Sequence, residues 1–76
     1  MLLKFEIYND GKYWCARAIG EDIFTQGKSL DELVDNIKEA VSVHFDELLG
    51  SGHDIKILSI SEFEVSSIAK TTSSQR

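Results

Sequence analysis

Gly27-Lys28-Ser29 is the triplet that ends a phosphate-binding loop, and it stands directly before an amphipathic run. Such a loop also needs a first glycine far enough upstream for backbone N–H groups to ring the phosphates. That position holds Asp22, and the nearest upstream glycine is Gly20. Asp31 and Glu32 add negative charge where a phosphate would sit, so the triplet is read as the start of a helix. Cys15 and His44 are of the types that form a nucleophile and its base. Yet Cys15 falls in mid-strand, where a lone cysteine behaves as a small apolar residue. His44 falls within an apolar stripe near a helix C-terminus, which suits a packed histidine favoured by the helix dipole. His53 and Asp54 in "GSGHD" do not have metal-ligand spacing. Glu6, Asp10, Asp22 and Asp54 show no spacing that would converge them on a metal ion. No catalytic, cofactor-binding or metal-binding residue is assigned, no cofactor is expected, and the chain is not expected to be an enzyme.

The elements that carry these residues follow from periodicity. In "LLKFEIY", Leu3, Phe5 and Ile7 alternate with Lys4 and Glu6, the period of a half-buried strand. "NDGK" then marks a hairpin turn, and "YWCARAI" forms a second strand. Gly20-Glu21-Asp22 turns the chain again, and "IFTQ" is a short third strand ended by Gly27. Ser29 and Glu32 form a Ser-x-x-Glu capping box. After it Leu30, Leu33, Val34, Ile37, Val41, Phe45 and Leu48 recur on one side of a helix, predicted over residues 30–49. Gly50 and Gly52 end that helix. "DIKILSISEFEV" is a fourth strand whose alternation slips between Ile55 and Ile57 on one phase and Leu58 and Ile60 on the other. A bulge, or burial of both faces, would explain the slip. The expected fold is α+β in the order β-β-β-α-β, with a four-stranded, mostly antiparallel sheet and one helix on one face. Residues 1–65 form the domain, and residues 66–76 are expected to be a disordered polar tail.

Composition bounds the function. A chain of 76 residues is one domain with a small core. Asp and Glu outnumber Lys and Arg by 13 to 8, for a formal charge of −5. That argues against direct nucleic-acid binding, which depends on cations, and favours a basic protein partner. A single cysteine excludes an intramolecular disulfide. Charge appears by Lys4, too early for a signal-peptide core, and no apolar run is long enough to cross a bilayer. A cytoplasmic protein with no membrane association is expected.

Two surfaces stand out. Glu32, Asp35, Glu39 and Asp46 project opposite the apolar stripe and form an acidic ridge suited to a basic partner. Val43 adds an apolar residue to the same side. On the sheet, Leu3, Phe5, Ile7, Trp14 and Ala16 are assigned to the helix-facing side. Tyr8, Tyr13, Cys15 and Ile19 then form a half-apolar outer face, expected to mediate self-association into at least a dimer.

The run from Gly11 to Phe45 resembles the HicB-type antitoxins and short HicB-like proteins. The features that carry the likeness are Tyr13-Trp14 in the second strand and the turn Thr25-Gln26-Gly27. They continue with the helix start Ser29-Leu30-Asp31-Glu32 and the segment Asn36-Ile37-Lys38-Glu39-Ala40. The resemblance implies a partial RNase H-like fold without catalytic acids. It also implies neutralisation of a small basic ribonuclease toxin by covering its active site. Many members carry a C-terminal DNA-binding domain, whereas the residues after Val65 are too few for a helix-turn-helix or ribbon-helix-helix unit. Two readings stay open: a toxin-binding antitoxin, and a stand-alone oligomeric domain with a regulatory or ligand-binding role and no cognate toxin.

Overall fold

The first strand, β1 (Leu2–Asn9), buries Leu3, Phe5 and Ile7 and leaves Leu2 and Lys4 exposed. Its partner β2 (Trp14–Ala18) runs antiparallel, with Ile7 opposite Ala16 and Phe5 opposite Ala18. These pairs share the helix-facing side, as assigned for Phe5, Ile7 and Ala16. The computed structural model describes residues 1–67, so most of the expected tail lies outside the described residues.

Side chains write the hairpin turn. Asn9 Oδ1 accepts from Gly11 N at 2.7 Å, and Asp10 Oδ1 accepts from Lys12 N at 2.9 Å and Tyr13 N at 2.7 Å. Asn and Asp substitute here for missing ladder acceptors, and Gly11 takes the positive φ of 99° that the turn requires. The second turn closes with Ala18 N donating to Ile23 O at 2.9 Å. Ile23, expected to open the third strand, lies just before it and is a core residue, 6% exposed. β3 (Phe24–Gly27) begins one residue later and pairs antiparallel with β2.

Gly27 is where sheet and helix nearly touch. A Cβ there would stand 2.8 Å from the backbone nitrogen of Leu33, closer than real Cβ atoms approach. The glycine of the Gly-Lys-Ser triplet therefore serves packing. Ser29 caps α1 (Leu30–His44), accepting from Glu32 N at 3.1 Å. Glu32 Oε1 completes the box one residue further out than expected, accepting from Lys28 N. Leu33, Ile37 and Val41 are buried, while Leu30 and Val34 lie at the rim of the stripe.

The predicted single helix over 30–49 breaks at Phe45, whose φ and ψ are −121° and 37°, and α2 (Asp46–Gly50) follows. A straight 20-residue helix would run about 30 Å, past the 8-residue β1 at about 26 Å and well past the 5-residue β2 at about 17 Å. The break keeps Phe45 against the core and leaves the consecutive Leu48 and Leu49 both half-buried. It also places His44 at the helix end, exposed, where Nε2 lies 3.7 Å from Glu21 Oε1. The packed histidine expected in the stripe is thus a surface residue.

The last strand, β4 (Lys56–Ser61), pairs parallel with β1, giving the sheet order β3-β2-β1-β4. Two of the three pairings are antiparallel, as expected of this α+β chain. Neither explanation offered for its broken alternation holds. The register runs without interruption from Leu2 opposite Lys56 to Ile7 opposite Ser61, and no residue of β4 is buried. Edge position resolves the slip: both faces of an edge strand reach solvent, so no strict alternation is imposed. The core is one cluster between sheet and α1, with Trp14, Phe45, Ile55 and Ile57 packed at its margin. α1 lies closest to β3 and β2. On its other flank Ile7, Val34, Ile37, Lys38, Ile57 and Ser59 line a narrow groove.

Candidate functional site

Glu32, Asp35 and Glu39 all stand exposed on α1, one turn apart. Their availability differs. Glu32 is a cap, with its carboxylate engaged by the Lys28 N–H. Asp35 and Glu39 have no such bond among the described residues, so the charge free to meet a partner resides there. Asp46 lies beyond the break at Phe45 and opens α2, so it does not continue the α1 row as a straight helix would have placed it.

The ridge borders a shallow hollow lined by Thr25, Asn36, Glu39, Ala40, Val43 and His44. Val43 is 73% exposed and supplies its apolar lip. Asn36 Nδ2 donates to Gln26 O at 2.7 Å, tying α1 to the β3 edge. That bond gives Asn36 a physical role which the motif around it signalled by position alone. The Glu21–His44 contact lies beside the other end of the hollow.

The outer face of the sheet is mixed. A row of Phe24, Arg17, Glu6 and Ile60 crosses all four strands. Arg17 and Glu6 form an ion pair at 2.7 Å in its middle, and the carboxylate holds the guanidinium more firmly protonated. Both are well exposed, so the pair adds little stability. Of the four residues expected to mediate self-association, Ile19 is exposed at 49%, and Tyr8 and Tyr13 are half-buried. Tyr13 sits just before β2, with the Lys12 ammonium 5.4 Å from its ring centre. Cys15 is 1% exposed and cannot touch a partner without rearrangement. Sequence reasoning passed over Phe24, Leu58 and Ile60, which are each about half exposed on the same face. Their signal lay in the strand register, which periodicity alone does not supply.

Cys15 belongs to the face away from α1, and the sheet separates it from His44, so the two do not form a nucleophile–base pair. Its polar neighbours are Asp10 Oδ2 at 3.7 Å and the Tyr13 carbonyl at 3.8 Å. Burial, followed by the Asp10 charge, raises the thiol pKa and keeps it protonated. His53 Nδ1 lies 3.1 Å from Ser51 Oγ in the loop before β4. Among the described residues no group of three or more His, Cys, Asp or Glu could hold a metal ion. Nor does any helix among them have the length and apolarity to cross a membrane.

Over 34 residues the chain is 53% identical to a UPF0150 protein of Archaeoglobus fulgidus, a stretch covering 45% of this chain and 52% of that relative. The chain thus matches about half the length of that protein. No protein-family profile and no solved structure matches it. The 34-residue stretch is shorter than the sheet-and-helix unit, so the likeness covers part of the fold.

Proposed function

We propose that this chain is a HicB-like antitoxin-type protein of the cytoplasm that binds a small basic ribonuclease toxin and blocks it sterically. It does so without chemistry, cofactor or nucleic-acid contact of its own. The observation that carries this reading is the exposed pair Asp35 and Glu39, which runs along one side of the capped helix toward the apolar Val43. The formal charge of −5 and the partial likeness to a UPF0150 protein, a HicB-like family name, support it. Rim charges of this kind set association rate and its salt dependence, while an apolar centre sets lifetime.

The experiment is co-expression with any small basic protein encoded beside this one, followed by association kinetics. Asp35→Lys with Glu39→Lys should slow capture and flatten its salt dependence, and Val43→Asp should shorten the lifetime of the complex. Equal rates at low salt for wild type and double reversal would remove the ridge from the mechanism. The alternative, a stand-alone oligomeric domain with a regulatory or ligand-binding role, draws support from the half-apolar outer face. It is favoured if no small basic neighbour is encoded.

A further inference from the structure

β4 is an edge strand, and its two sides are used differently. Lys56 N donates to Met1 O at 2.9 Å and Glu62 N to Ile7 O at 3.0 Å. By the alternation of a parallel ladder, the N–H and C=O groups of Lys56, Leu58, Ile60 and Glu62 face β1. Those of Ile57, Ser59 and Ser61 therefore point out of the sheet, where no strand among the described residues meets them. Natural edges are blunted by lysine, proline or bulges, and the stretch from Ile57 to Ser61 has none of these. At the opposite edge β3 is only four residues long, and Asn36 already occupies a carbonyl there.

We propose that the β4 edge pairs with the β4 edge of a second copy of this chain, antiparallel, about a two-fold axis at Ser59. In that register Ser59 faces Ser59 of the second copy, and Ile57 faces its Ser61. All are residues whose backbone groups point outward, so the two strands exchange complete pairs of hydrogen bonds. The residues between them fall opposite one another on the outer face. Leu58 meets Ile60 of the second copy, and Lys56 meets its Glu62. Apolar thus pairs with apolar and cation with anion, twice over, as a two-fold interface demands. Moving the axis to Leu58 sets Lys56 opposite Ile60, and moving it to Ile60 sets Leu58 opposite Glu62. Only the axis at Ser59 satisfies both chemistries. The two four-stranded sheets become one continuous sheet with both α1 helices on the same side. The ridge of Asp35 and Glu39 and the face carrying Tyr8 and Ile19 stay open, so this pairing does not depend on the antitoxin reading.

The test is the oligomeric state of the full chain by sedimentation equilibrium, with circular dichroism to verify the fold. Wild type should be a dimer at micromolar concentration. Ser59→Pro removes an outward N–H and spares the β1 ladder, so it should weaken association at least about tenfold. Lys56→Glu should also dissociate the dimer by setting carboxylates opposite each other, and Lys56→Glu with Glu62→Lys should restore it. A monomeric wild type, or a folded Ser59→Pro protein that remains a dimer, overturns the proposal. Failure of the charge swap to restore association overturns the register. If Ser59→Pro does not fold, hydrogen exchange of the wild type decides. Concentration-dependent protection of the Ile57, Ser59 and Ser61 amides supports the edge, and free exchange there overturns it.

Discussion

The backbone nitrogen of Leu33 stands 2.8 Å from the point where a Cβ on Gly27 would lie. α1 is therefore seated on the end of β3 at a distance that only glycine permits. Gly27→Ala should push the first turn of α1 off the sheet and cost about 1–3 kcal/mol, the range for overpacking a well-packed site. Urea denaturation measures it. An unchanged midpoint would mean that the helix shifts without loss.

Leu33 and Leu30 belong to the same apolar stripe but differ in burial, at 0% and 46% exposed. Leu33→Ala should cost about 2–5 kcal/mol, as for a fully buried leucine that leaves a cavity. Leu30→Ala should cost about 0.5 kcal/mol or less, as at a surface position. Equal losses would show that the stripe faces the sheet in a different phase.

Asp10 makes the hairpin turn sensitive to acid. The Tyr13 and Lys12 N–H groups hold its carboxyl below the ordinary value of 3.8. The folded state then binds fewer protons than the unfolded state in the window between the two values. Its contribution is fully present above 3.8 and is lost as pH falls through the lowered folded value. The stability gap between wild type and Asp10→Asn should stay constant at neutral pH and close below that window. A gap that widens on acidification would contradict the assignment.

Cys15 should resist alkylation. Its thiol is 1% exposed and its pKa is raised by burial and by Asp10, so little thiolate is present and access is poor. Reaction with iodoacetamide at neutral pH should be at least about tenfold slower in the native protein than in urea. Matching rates would mean that the turn over it opens readily.

Much of this architecture is legible from residue order alone. Ser29 with Glu32 announces the helix start, because capping is local chemistry between neighbours. Leu3, Phe5 and Ile7 declare their face, because one side of β1 is buried. Long-range geometry was less accessible. The break at Phe45 depends on how far a helix can run before it leaves the sheet, and no local signal near residue 45 records that distance. Cys15 looked exposed by alternation, yet the turn built by Asp10 folds over it. The acids of the ridge were visible as a periodic row, but its reach was not. Glu32 turns back to Lys28, and Asp46 leaves the row with α2.

The parallel pairing of β1 with β4 joins the beginning of the described chain to its far end, Leu2 beside Lys56. Synthesis makes β1 well before β4, so β1 gains this second neighbour only after β2, β3 and both helices have been made. Closing so long a loop is slow and entropically costly until the final contacts reward it. The sheet is therefore complete only once Lys56–Ser61 has been made. Any nascent fragment that stops short of Lys56 carries β1 with a bare side, a substrate for chaperones and proteases and not a smaller version of the protein.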